Sequence, residues 1–147
     1  MLFAILKLAR VHQWVKNALV LTALLTAHRY SDSLALQQSV IAFLAFCAAA
    51  SAVYAFNDTL DIASDRAHPS KAQRPLASGL LPRWAGPVIA LAWLAVAALL
   101  SMQLGTRFQL IVSIYALASL GYCLGLKRIA LIDVMLLSGL YVLRVAA

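Results

Sequence analysis

Three of the chain's five acidic residues fall in one short run, Asn57-Asp58-Thr59-Leu60-Asp61-Ile62-Ala63-Ser64-Asp65, at the end of a long apolar stretch. In a sequence that otherwise avoids carboxylates, such a cluster calls for a cation. At about 100° per helical residue, Asp58, Asp61 and Asp65 lie within roughly 60° of one another. Oxygen donors without histidine or cysteine suit Mg²⁺, which keeps several waters and takes further ligands from substrate phosphates. A lone aspartate at the centre of a membrane helix costs about 2.5 to 3.5 kcal/mol, and neighbouring carboxylates repel; magnesium on a phosphorylated substrate relieves both penalties. The bland alternative is a solvated acidic helix end. The same face continues backwards through Tyr54, Ser51 and Cys47, a line of small and polar groups that reads as a cavity wall.

Cations follow at once, in Arg66, Lys71 and Arg74. A loop carrying them can close over a diphosphate, arginine gripping phosphate oxygens with its planar fork and lysine adding a point charge. Membrane topology alone would also place basic residues there. Near the amino terminus, Arg10, Gln13 and Asn17 form a polar helical stripe, whereas Trp14 and Lys16 read as interfacial anchors. Tyr115, Ser119 and Tyr122 share a face leading towards Lys127 and Arg128. Asp133 and Arg144 lie in the last apolar stretch, too far apart along a helix to pair, so each needs a partner elsewhere.

These groups must be positioned by membrane helices. The chain is 64% hydrophobic and 12% charged over 147 residues, with a mean hydropathy of +0.89, more apolar surface than a soluble domain of this size can hide. The net charge of +7 sits in short loops between apolar spans, which argues against nucleic acid as a partner. Cys47 and Cys123 lack metal-site or disulfide spacing and read as packing residues. Spans are expected from near Val11 to Ala27, over 34–56, over 87–104, between Arg107 and Lys127, and from Ile129 onward. The expected fold is therefore an all-α transmembrane bundle of about five helices. It forms a single domain over residues 1–147, with a loop at 57–86 carrying the aspartates. Nine of the loop cations fall on one side against Arg29 and Arg107 on the other, so the aspartate loop is expected to be cytoplasmic.

With those motifs set out, the chain resembles the UbiA-type intramembrane prenyltransferases. The resemblance rests on Asn57-Asp58-x-x-Asp61-x-x-x-Asp65-Arg66, on Lys71-Ala72-Gln73-Arg74-Pro75-Leu76-Ala77-Ser78-Gly79, and on Tyr122 with Leu126-Lys127-Arg128 and Asp133. Arg10-x-x-Gln13-Trp14-x-Lys16-Asn17 and His68-Pro69 look most like the branch that includes polyprenyl-phosphate phosphoribosyltransferases. The resemblance implies a Mg²⁺-dependent integral membrane transferase in a bacterial inner (plasma) membrane. Asp58, Asp61 and Asp65 would be the catalytic, metal-holding carboxylates. Asn57, Arg66, Lys71, Arg74, Lys127, Tyr122, Arg10, Gln13 and Asn17 would bind substrate. The donor would be an isoprenoid diphosphate, or phosphoribosyl diphosphate acting with polyprenyl phosphate, and the acceptor a lipid or aromatic compound. Family members are about twice as long and carry a second aspartate motif, so the chain reads as an amino-terminal half that is inactive alone and lacks a carboxy-terminal partner half. Competing readings are a piece of a cation transporter and a non-catalytic membrane subunit.

Overall fold

The computed structural model describes residues 2–126 and 129–147, and every regular element among them is helical. The axis of the bundle is α3 (Ser33–Leu60), 28 residues long and so about 42 Å at 1.5 Å per residue, enough to cross a bilayer and protrude. Asp32 starts it as an N-cap, its carboxylate accepting from the amides of Leu34 and Ala35 at 3.0 and 3.1 Å. Its middle is rich in alanine, with Ala42, Ala45, Ala48, Ala49, Ala52 and Ala55 all buried. Small side chains let neighbouring backbones come close, which is how helices associate where lipid removes the hydrophobic drive between them.

α5 (Ala85–Met102) exploits that surface. Its buried residues Gly86, Ala90, Ala97 and Ser101 form a small-residue stripe. A Cβ at Gly86 would stand 2.0 Å from Thr59 Oγ1, so glycine is required at this crossing. α6 (Thr106–Leu124) returns across the membrane, and its Phe108 and Tyr115 meet the fully buried Phe46 edge-to-face at 5.9 and 5.1 Å. α7 (Ala130–Ala146) packs against α6 and the amino-terminal segment. Among the described residues α3, α5 and α6 are long and apolar enough to span a membrane, and α7 has 17 residues. The bundle is that of an integral membrane protein.

The amino-terminal segment differs from the expected spanning α-helix. After α1 (Leu2–Leu8), Arg10 adopts left-handed angles of φ 50° and ψ 50°, and residues Val11–Leu21 form a 3₁₀ helix before the short α2 (Thr22–Thr26). A 3₁₀ helix repeats every three residues, so its inward ridge is Trp14, Asn17 and Val20. Asn17 and Val20 are buried, and Trp14 Nε1 donates to Ser51 Oγ at 3.1 Å. Trp14 also meets Trp93 edge-on. It is therefore a packing residue of the bundle and not the interfacial anchor that its position suggests.

Candidate active site

The aspartate run divides where α3 ends. Asp61 takes φ −92° and ψ 6°, closing α3 and leading into α4 (Ile62–Ala67). Asp58 and Asp65 are seven residues apart, about 20° short of two full turns, so they stack, whereas Asp61 stands roughly 60° away from Asp58. The stacked pair is buried and holds arginine: Arg10 Nη2 reaches Asp58 Oδ1 at 2.6 Å, and Arg74 Nη1 bridges Asp65 Oδ2 at 2.7 Å and Asp58 Oδ1 at 3.2 Å. Asp61 instead accepts from the Asn57 amide at 2.9 Å. Among the described residues no three carboxylate, histidine or cysteine groups converge on one point as a ready metal cage. Asp58 and Asp65 thus share arginine partners, with the Asn57–Asp61 hydrogen bond alongside.

Asn57 and Asp61 face a cavity of about 360 Å³. Arg10, Lys16, Lys71 and Arg74 share its lining with Tyr54, Tyr115, Ser119, Tyr122, Leu137, Leu140, Tyr141 and Arg144. Several devices place these groups. The left-handed turn at Arg10 brings its guanidinium over the Tyr54 ring, 4.8 Å from the centroid, while it holds Asp58. The loop between α4 and α5 is fixed by buried Pro75, Leu76 and Ala77, by Arg66 Nε donating to the Ala77 carbonyl at 2.9 Å, and by Lys7 Nζ on the Gln73 carbonyl at 3.2 Å. Arg74 is therefore delivered by a packed loop.

The other expected site residues are distributed unevenly. Lys71 and Tyr122 line the cavity with Arg10, Arg74, Asn57 and Asp61, whereas Arg66 lies outside the lining with its Nε on the Ala77 carbonyl. Gln13 is half-buried and absent from the lining, because the 3₁₀ geometry turns it away from Asn17. Asn17 is buried, giving its amide hydrogen to Cys47 Sγ at 3.3 Å. Lys127 lies outside the described residues. The expected wall of Tyr54, Ser51 and Cys47 is also shorter: Ser51 donates to the Ala9 carbonyl at 3.0 Å and Cys47 meets Asn17, which leaves Tyr54 on the cavity.

Arg144 also lines the cavity, a place that spacing did not assign to it. Its Nε donates to Asn17 Oδ1 at 2.9 Å and its Nη2 to the Tyr115 hydroxyl at 2.8 Å. Its need for a partner was legible in an apolar stretch; the partners, one of them 127 residues away, were not.

Known proteins place this arrangement. A decaprenyl-phosphate phosphoribosyltransferase of Mycolicibacterium smegmatis is 39% identical over 150 residues, covering 97% of this chain and 46% of the relative. The protein of that name from Corynebacterium glutamicum is 39% identical over 154 residues, covering 97% of the chain and 44% of the relative. Nodulation protein NoeC of Azorhizobium caulinodans is 35% identical over 139 residues, covering 94% and 45%. The chain spans about half the length of these relatives. The model of the UbiA prenyltransferase family matches residues 18–147, and the chain belongs to that family.

Proposed function

We propose that these residues form the donor half of a Mg²⁺-dependent membrane transferase, which moves a phosphoribosyl group from phosphoribosyl diphosphate to a polyprenyl phosphate. The observation that carries this reading is the cavity's composition. Its lining combines the oxygen donors Asn57 and Asp61 and the cations Arg10, Lys71 and Arg74 with the aromatic and apolar side chains Tyr54, Tyr115, Tyr122, Leu137 and Leu140. The names of the phosphoribosyltransferase relatives favour this substrate pair over a prenyl diphosphate with an aromatic acceptor. Basic residues flanking the site support placing its mouth on the cytoplasmic side of a bacterial inner membrane.

The donor chemistry suits the metal without forming a ready cage among the described residues. Asp61 and Asn57 line the cavity, Asp58 and Asp65 adjoin them in the same run, and their side chains offer hard oxygen ligands of the kind magnesium takes. When bound, the metal supplies charge stabilisation for the departing diphosphate. Arg10, Arg74 and Lys71 grip the phosphate oxygens and hold the scissile C–O bond in place. As that bond breaks, positive charge develops at the ribosyl carbon, and an oxygen of the lipid phosphate attacks it. Val53, Leu137 and Leu140 give the lining apolar side chains beside the reacting groups.

The test uses native membranes containing the whole natural protein, offered phosphoribosyl diphosphate or prenyl diphosphates with a short polyprenyl phosphate. Asp61→Ala should lower Mg²⁺-dependent transfer by about 100-fold or more, since even residues that merely orient metal ligands are worth about 10–100-fold. Unchanged transfer and unchanged Mg²⁺ dependence would refute the metal assignment. The 147-residue chain assayed alone should show no transfer, and measurable turnover by it would overturn that expectation.

A further inference from the structure

Arg144 is a buried cation that the proposed donor site does not use. It is 8% exposed and lies 14 residues beyond Ala130, about 21 Å along α7. Asn17, which it contacts, rests on Cys47, close to the midpoint of α3. The guanidinium therefore sits about halfway across the bundle, where an ionised group is costly and marks function more often than packing.

Its partners do not neutralise it. Nε donates to Asn17 Oδ1, Nη1 to the Leu140 carbonyl at 3.0 Å, and Nη2 to the Tyr115 hydroxyl, all of them uncharged acceptors. No carboxylate pairs with Arg144 among the described residues. A guanidinium has five N–H groups, so these bonds leave one on each terminal nitrogen. Tyr115 and Tyr141 hold the plane by their faces, with centroids 4.9 and 5.2 Å from Cζ. Arg144, Tyr115 and Tyr141 all line the cavity that opens at Asn57 and Asp61. The result is a fixed planar fork with unspent donors and an unspent charge, the arrangement that recognises a tetrahedral dianion in two-pronged fashion.

We propose that Arg144, flanked by Tyr115 and Tyr141, is a second anion subsite that takes a phosphate monoester, apart from the diphosphate held at the mouth. The inference rests on the reaction proposed above for the source of that phosphate. It is either the head group of the lipid acceptor or the monoester carried by the donor's own ribose, and the two are told apart by which substrate loses affinity.

The whole natural protein, purified in detergent, is titrated with farnesyl phosphate and with farnesol, and separately assayed for the KM of phosphoribosyl diphosphate. Wild type should bind farnesyl phosphate about tenfold or more tightly than farnesol, the scale of charge-assisted hydrogen bonds. Arg144→Gln should abolish that preference with farnesol binding unchanged, which assigns the lipid phosphate. A rise of about tenfold in the KM of phosphoribosyl diphosphate, with farnesyl phosphate binding intact, assigns the donor's monoester instead. Neither effect overturns the subsite and leaves Arg144 as a tie between helices. Should Arg144→Gln fail to fold, Arg144→Lys keeps the charge but loses the fork, and an unchanged preference and KM in that variant overturn the proposal equally. Farnesyl phosphate binding is read without turnover, so a protein that transfers from no diphosphate donor refutes the proposed reaction and leaves this measurement intact.

Discussion

Deleting the Arg74 guanidinium is the perturbation whose size the geometry constrains most tightly. Its Nη1 donates to Asp65 at 2.7 Å and to Asp58 at 3.2 Å, and both carboxylates are only 3% exposed. Removing one partner of a buried ion pair costs about 3–5 kcal/mol, because the surviving charge stays buried without compensation. Two features reduce that figure. Asp58 keeps Arg10 at 2.6 Å, and Arg74 is itself 23% exposed, so water already screens part of the attraction. Arg74→Gln should therefore cost about 2–3 kcal/mol of unfolding free energy. Asp65→Asn combined with Arg74→Gln removes the orphaned charge as well and should recover about 1 kcal/mol or more relative to Arg74→Gln. Equilibrium unfolding of purified protein in mixed micelles, followed by far-UV circular dichroism, measures both variants. A single-variant loss under about 0.5 kcal/mol, within the range of an exposed pair, would refute the reasoning. So would a double variant less stable than the single one.

Two further outcomes test the frame around the site. Gly86→Ala drives a Cβ to within 2.0 Å of Thr59 Oγ1 and 2.9 Å of Leu76 Cδ1, an overpacking expected to cost about 1–3 kcal/mol; adding Thr59→Ala should restore most of the lost thermal stability, and a double variant no better than the single would place the strain elsewhere. At the start of α3, the hydrogen bond from Arg29, with the amides of Ala35 and Leu34, holds the Asp32 carboxyl below the usual carboxylate range. A depressed folded value means that its contribution is present above the unfolded pKa of about 3.9 and fades as pH falls through the folded one. Exchange protection of the Leu34 and Ala35 amides, corrected for intrinsic rates, should then decline below about pH 4 in wild type and stay flat in Asp32→Asn, which caps without titrating; identical profiles would remove Asp32 as the cause.

The spans were legible because apolar length is a strong signal, and α3, α5 and α6 each lie within four residues of the expected bounds. The amino-terminal segment was not. Its apolar pattern suits periods of 3 and 3.6 alike, and the left-handed Arg10 that breaks the α-helix carries neither the glycine nor the asparagine that usually marks such a turn. That misreading propagated: a 3.6 period groups Gln13 with Asn17, whereas the 3₁₀ segment sets Asn17 beside Trp14 and sends it to Cys47 and Arg144. Spacing put all three aspartates on one helical face, since positions three, four and seven apart adjoin on a helix. What spacing could not reveal was that Arg10, 48 residues away, would join Arg74 of the adjoining loop on the stacked pair.

The charge around the cavity gives those arginine contacts a meaning on the reaction proposed above. Asp58, Asp61 and Asp65 stand against Arg10, Lys16, Lys71, Arg74 and Arg144, so the site is cationic before any substrate enters. A lone divalent cation would meet that positive field, and the two carboxylates best placed to counter it are already held by guanidinium groups. A diphosphate reverses the balance, because its several negative charges attract the metal and the arginines together. Arg10 and Arg74 can then exchange carboxylate oxygens for phosphate oxygens, keeping charge-assisted hydrogen bonds throughout, and the exchange releases Asp58 and Asp65 as the donor arrives. Asp61 faces the same cavity beside Asn57. Donor and metal should therefore bind as a coupled pair, with Arg10 and Arg74 making the carboxylates available only when there is a diphosphate to hold.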